Sequence, residues 1–303
     1  MKGKDTLLYL ALGLAFAAVF AFVGPYFWFA DLFAHFRPHY AVLAVVLAGV
    51  ALAMRRGRVA VLCAGIVLLT VPPLLADLEP SVWRGGDPGL RLMAWNMHYR
   101  AVDADQGLDM IRDTDADIVI LSEVSAAWRE RLGALDGLYP YRAHADDCGL
   151  LGCEVSILSK RPWRGVRIQT LAPHTPPVIV ADFPEFGGVP AFQLVAVHLT
   201  NVINGRGGAL QLAQISELGK LVRVLPGPVV MAGDMNAAPS SAVFRAIGRE
   251  TGLASADISL QPTWPSILGW FGIAIDHVFT RGVAGVAVRR LGAGGSDHAA
   301  IEA

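Results

Sequence analysis

The chain has 303 residues, of which 54% are hydrophobic and 17% charged, with 25 Lys+Arg against 26 Asp+Glu. Six of those basic and four of those acidic residues precede Arg84, which leaves 19 against 22 and a net charge near −3 for the rest. This balance excludes the overall basic excess on which a duplex-binding protein relies, because phosphate neutralisation supplies most of its affinity.

The first 78 residues differ in kind from the rest. Apolar runs over about 6–29, 38–55 and 58–76 predict three membrane-crossing helices. The first is comfortably long enough for a bilayer, which needs about 20 residues, and the other two reach that length with their flanks. Tyr26, Phe27 and Trp28 follow Gly24-Pro25 as an interfacial aromatic belt would. Lys2 and Lys4 mark the amino terminus as cytoplasmic, and Arg55, Arg56 and Arg58 mark the turn between the second and third runs. Three crossings from that start place the remainder outside the cytoplasm, on a bacterial-type inner or plasma membrane. Residues 79–89, rich in Pro and Gly, read as a linker.

From 90 to 303 the chain alternates strand-like and helix-like segments. Strands are expected over 90–95, 117–121, 155–158, 178–182, 191–197, 229–232, 275–280, 283–289 and 299–302. Helices are expected over 104–113 and 208–224. Many strands with few helices predict an α/β fold of packed sheets flanked by helices. Of the three cysteines, Cys63 lies in an apolar run, while Cys148 and Cys153 bracket Gly-Leu-Leu-Gly. In an oxidising compartment that pair is expected to close a short disulfide loop.

The informative residues are those that end buried strands. Apolar segments run into Asn96, Glu123, His198, Asp234 (with Asn236 two positions on), Asp276, and the pair Asp297-His298. Ligand sites in α/β folds gather at such strand ends. A single carboxylate there is more often a cap or turn former; so many in series is a different pattern. Carboxylates and an amide oxygen suit a hard ion such as magnesium, with manganese as a substitute, better than zinc. Such an ion offsets charge on phosphoryl oxygens, while a carboxylate or histidine activates water.

The motifs Trp-Asn (95–96), Ser-Glu-Val (122–124), Val-His-Leu-Thr (197–200), Gly-Asp-Met-Asn (233–236), Ile-Asp-His-Val-Phe (275–279) and Gly-Ser-Asp-His (295–298) stand in that order. In this the chain resembles the endonuclease/exonuclease/phosphatase superfamily, which includes deoxyribonuclease I-like nucleases, neutral sphingomyelinases and inositol-polyphosphate 5-phosphatases. The resemblance implies a four-layer sandwich of two mixed β-sheets with helices outside. It implies metal ligation by Glu123 and Asn96, with Asp297 nearby. Asp234 would position or deprotonate water, and Asn236 would orient it. His298, oriented by Asp276, would meet a phosphoryl oxygen or transfer a proton, and His198 would stabilise the transition state or protonate the leaving group. The family often has a basic residue just before Ile-Asp-His and just after Ser-Asp-His. Ala274 and Ala299 stand there, against a substrate that needs extra phosphate clamps.

Other polar residues carry less. His277 should point away from its neighbour Asp276 and pack, His98, His144 and His174 should be exposed, and Glu154 and Thr200 could border the pocket. The segment 262–271 holds Trp264, Ile267, Leu268, Trp270 and Phe271, and reads either as loop packing or as an apolar lip meeting the bilayer beside the site. With the anchor, it favours a lipid or lipid-linked phosphate substrate over nucleic acid, as either diesterase or phosphatase. A membrane-tethered extracytoplasmic nuclease is the alternative. An inactive binding module would need a broken motif, and none is broken.

Overall fold

The computed structural model describes residues 2–77, 89–100, 103–145, 152–256, 261–283 and 285–303. They form two compact bodies, Met1–Glu79 with Ala238–Arg245, and Pro80–Ala237 with Ala246–Ala303. The linker expected over 79–89 lies, except for Gly89, outside the described residues, as does Cys148.

The first body is helical: α1 (Lys2–Phe20) runs into a 3-10 turn (Ala21–Tyr26), followed by α2 (Trp28–Ala34), α3 (Arg37–Ala53) and α4 (Gly57–Asp77). Small residues at the helix contacts, Ala11, Ala18, Ala44, Ala51 and Cys63, let the backbones approach. Larger residues face outward, with Leu10, Phe16, Val45, Val46, Val61 and Leu68 all more than half exposed. Two helices, Thr6–Tyr26 and Gly57–Leu75, are long and apolar enough to cross a membrane. α2 and α3 reach that standard only as a pair bent by 55°, so these helices are candidates for two or three spans. The short α2 was not expected. It carries the buried Asp31, whose carboxylate accepts hydrogen bonds from the backbone N–H groups of Ala242 (2.6 Å) and Val243 (3.1 Å) in the same body. These are free donors of a helix start, which an acidic side chain satisfies well.

The second body contains β1 (Leu92–Asn96), α5 (Ala104–Thr114), β2 (Ile118–Ser122), α6 (Ala126–Leu132), β3 (Tyr141–Ala145), β4 (Val155–Ser159), β5 (Gly165–Gln169), β6 (Val178–Phe183), β7 (Phe192–His198), α7 (Gly205–Arg223) and β8 (Val229–Asp234). α8 (Ala242–Thr251) begins in the first body and ends in the second. β9 (Ala254–Ser255), β10 (Asp276–Arg281), β11 (Arg289–Arg290) and β12 (Ile301–Glu302) complete it. Two six-stranded sheets result, ordered β11-β12-β1-β2-β4-β3 and β5-β6-β7-β8-β10-β9. Each is mixed, with one parallel pair, β1 with β2 and β7 with β8. Two mixed sheets flanked by helices are the fold class that the residue pattern implied.

Alternation along each strand builds the layers. In β1, Leu92 and Ala94 join Ile120, Ile157, Ala181, Leu194, Ala196 and Ala232 between the sheets. Met93 and Trp95 point the other way, onto Leu108 and Ile111 of α5 and Trp128 and Leu132 of α6. On the second sheet α7 buries Gln214, Ile215, Leu218 and Val222. The strand expected over 283–289 shrinks to β11 (Arg289–Arg290), because Gly282 and Gly285 adopt φ of 67° and 72°, outside extended geometry. The expected set lacked β3, β5, β9, α6 and α8. β5 is a largely exposed edge strand whose apolar alternation is limited to Val166 and Ile168.

Candidate active site

Strand register gathers the polar strand ends. Asn96 pairs with Ser122 across β1 and β2, which sets Glu123 one residue beyond. His198 pairs with Asp234 across β7 and β8, and Asp276 pairs with Asp234 from the other side. The close approach of β7 and β8 needs a residue without a side chain: a Cβ on Gly233 would stand 1.9 Å from the Val197 carbonyl oxygen. The Gly of Gly-Asp-Met-Asn is thus a packing requirement of the site.

Hydrogen bonds join these ends into one network. The Asn96 Nδ2 donates to Glu123 Oε1 (3.1 Å) and Asp234 Oδ2 (2.9 Å), and its Oδ1 accepts from the His98 N–H (3.0 Å). Glu123 Oε2 accepts from the Tyr99 N–H (3.1 Å), and the Glu123 N–H donates to the Glu154 carbonyl (2.8 Å). These bonds hold Glu123 at φ 60°, a conformation rare for a residue with its side chain and typical of functional sites. Asn236, at φ 47°, donates its N–H to Asp234 Oδ1 (2.8 Å) and its amide to the Leu199 carbonyl (2.8 Å). His298 Nδ1 bonds Asp276 Oδ2 at 2.9 Å. The Nε2 atoms of His198 and His298 approach Asp234 Oδ2 to 3.7 and 3.8 Å.

Of the sequence-selected residues, Asn96, Glu123, His198, Asp234, Asn236, Asp276 and His298 thus converge. Asp297 stands at the rim: its side chain is half exposed, and it accepts from Trp264 Nε1 (3.1 Å) and lies 3.7 Å from His98 Nδ1. His277 packs, with Nε2 on the Ala237 carbonyl (2.9 Å). His174 is exposed, but His98 and His144 are not: His98 turns toward Asp297 and His144 bonds Ser156 (2.8 Å). Residues that hold the site were missed. The Ser296 hydroxyl donates to the Asn96 carbonyl (2.7 Å) and accepts from the His298 N–H (3.0 Å). Gln214 of α7 donates to the His198 carbonyl (3.0 Å) and accepts from the Thr200 N–H (2.9 Å). Two glutamines, Gln211 and Gln214, on the buried face of α7 were the available signal.

The charges explain the chemistry. Burial and the neighbouring Asp276 raise the Asp234 pKa, against the pull of His298, His198 and the Asn96 amide. Burial alone would lower the His298 pKa, but Asp276, Asp234 and Asp297 overcome it and raise it to about 10. A cluster of buried carboxylates is thus offset by one imidazolium, and an added cation would relieve it. Carboxylate oxygens of Asp234 and Asp276 lie within 4.8 Å of each other and of the His298 ring, and with Glu123 and the Asn96 amide they make a set of oxygen donors. That set fits a divalent ion that prefers oxygen.

A stability test follows from His298. Its folded pKa is raised, so its contribution is present in full below pH 6.5 and is lost as pH climbs toward about 10. In metal-free protein, the stability difference between the wild type and His298→Gln should shrink over that interval in denaturant titrations. A difference that grew with pH would contradict the charge assignment.

The model of the Endonuclease/Exonuclease/phosphatase family matches residues 93–298. Among solved structures, sphingomyelinase C from Streptomyces griseocarneus aligns at 15% identity and TM-score 0.54, covering 70% of this chain and 98% of that one. A humanized D. rerio TDP2 aligns at 16% and 0.55, covering 70% and 97%. An endonuclease/exonuclease/phosphatase from Beutenbergia cavernae aligns at 21% and 0.52, covering 70% of each. No curated protein matches. With the family model spanning every motif of the site, the chain belongs to the endonuclease/exonuclease/phosphatase family and is a metal-dependent hydrolase of phosphoric ester bonds.

Proposed function

We propose that the chain is a membrane-anchored, magnesium-dependent phosphoesterase that acts outside the cytoplasm on a lipid or lipid-linked phosphate. The observation that carries the substrate class is the loop ahead of Asp276. Its turn, Ser266–Phe271, buries no residue, and Ile267, Trp270 and Phe271 are at least three-quarters exposed. Yet the loop is bound to the site: Ser266 donates its N–H to the Asp297 carbonyl (2.7 Å) and its hydroxyl to the Ser296 carbonyl (2.8 Å). Water-exposed aromatic surface at this position is costly unless an apolar surface meets it, which favours a lip over loop packing.

In this reading Glu123 and Asn96 would hold the ion, with Asp297 beside it at the rim. When bound, a magnesium ion would neutralise phosphoryl charge and favour ionisation of water. Asp234, nearly fully buried and raised in pKa, would accept the proton of the attacking water, and Asn236 keeps its carboxylate in place. His298, kept as imidazolium by Asp276, would bind a phosphoryl oxygen, and His198 would stabilise the transition state. Glu123→Gln, Asp234→Asn and His298→Ala should each lower the turnover of folded protein by about two to four orders of magnitude. Near-normal activity of His298→Ala would sink the assignment.

The substrate class has its own test. Replacing Trp270 and Phe271 by Ser should weaken turnover of phospholipid in vesicles and spare a short-chain, water-soluble analogue. Equal losses on both would mean that the loop only packs. A nuclease should instead cleave single-stranded DNA with an activity that falls steeply with salt, as phosphate contacts are screened. For topology, a reporter active only outside the cytoplasm should work when fused after Ala303 and stay silent at Gly57. The proposed Cys148–Cys153 bond should then appear in non-reducing mass spectrometry.

A further inference from the structure

Asp276 orients His298, but little orients Asp276. Its Oδ2 bonds His298 Nδ1, while its Oδ1 is buried without a hydrogen-bond partner among the described residues. The carboxylate is therefore aimed by its backbone, and that backbone is at the first residue of β10, where the ladder begins. On one side the ladder to β8 fixes it, through the pairing of Asp276 with Asp234 and the Met235 N–H on the Ile275 carbonyl (2.8 Å). On the other side stands Thr263, 1% exposed. Its hydroxyl oxygen accepts the N–H groups of both Ile275 (3.1 Å) and Asp276 (3.3 Å).

The same residue holds the second half of the pair. The Thr263 carbonyl accepts the N–H of Ala299 (2.8 Å), the residue after His298, and its own N–H donates to the Ile273 carbonyl (2.9 Å). One threonine thus ties the segment that carries Asp276 to the segment that carries His298, which stand 22 positions apart in the chain. It is also the last residue before the apolar loop, since Trp264 follows it and bonds Asp297.

We propose that Thr263 is a positioning residue that sets the Asp276–His298 pair through the backbone N–H groups of Ile275 and Asp276. This rests on the reading of that pair as part of the catalytic machinery. Valine at 263 would keep the shape of the side chain and remove the acceptor, leaving two buried N–H groups unsatisfied. A shift of a fraction of an ångström in Asp276 would then reach the imidazole, and small misplacements of this kind cost up to about a hundredfold in rate.

The test is a mutant cycle on the full-length protein in detergent with magnesium, assayed on bis(4-nitrophenyl) phosphate and 4-nitrophenyl phosphate. Thr263→Val should lower kcat about ten- to a hundredfold with KM little changed, while Thr263→Ser, which keeps the hydroxyl, should restore most of the rate. Because Thr263 acts through Asp276, adding Thr263→Val to Asp276→Asn should cost less than about twofold more. A purely structural role predicts losses that multiply in the double variant, and that result would overturn the inference. So would full activity of Thr263→Val, or a serine variant as poor as valine. If thermal unfolding shows that the valine protein does not fold, Thr263→Ala takes its place in the cycle. If Asp276→Asn alone leaves turnover unchanged, the reading of the pair itself falls, and the inference with it; an impaired Asp276→Asn beside an unaffected Thr263→Val removes the inference only.

Discussion

Strand register is the constraint on which the site depends. Parallel pairing of β1 with β2 and of β7 with β8 sends two strands of each sheet to the same edge, so that Asn96 stands level with Ser122 and His198 level with Asp234. The antiparallel β10 then starts at the residue opposite Asp234, which brings in Asp276. A slip of one residue in any of these pairings would turn each polar end toward the opposite face, into the apolar layers. The extensive burial between the sheets is what forbids that slip, and it makes the location of the site a consequence of core packing.

Holding several carboxylates together out of water is costly, and the surrounding residues are arranged around that cost. Asn96 divides one amide group between Glu123 and Asp234, and His298 lies between Asp234 and Asp276. The remaining imbalance appears in the raised pKa of Asp234 and in the strong retention of the His298 proton. A cation bound beside these carboxylates would relieve that imbalance. The positive-φ backbone of Glu123 belongs to the same arrangement, since from that conformation its carboxylate meets the Asn96 amide and the Tyr99 N–H.

Support for the clustered side chains comes from residues outside the cluster. Ser296 links the backbone of Asn96 to that of His298, Trp95 Nε1 donates to the His298 carbonyl (3.2 Å), and Gln214 anchors the end of β7. Trp95 also packs edge-on against Trp128, whose Nε1 holds the His98 carbonyl (2.9 Å). The α5 and α6 layer is therefore connected to the site through a pair of indoles, and a loosening of that layer reaches the catalytic edge.

The sequence alone determined the composition of the site and its position at strand ends. Apolar runs that stop at Asn96, Glu123, His198, Asp234 and Asp276 are a one-dimensional record of buried strands that emerge at one edge, and the apolar amino-terminal runs record helices that are candidates for membrane spans. What the tertiary structure decided is everything that depends on partners distant in the chain. It separated Asp297 from the buried cluster and turned His98 inward to face it. It left the Trp264–Phe271 segment exposed, where its composition was equally consistent with a packed loop. It set a short α2 ahead of the second apolar run, bent by 55° against α3, and placed the Asp31 carboxylate on the start of a helix more than two hundred positions away. Thr263 shows the reason most plainly. Nothing beside it in the sequence marks it, because its role comes from backbone groups that only strand pairing brings within reach.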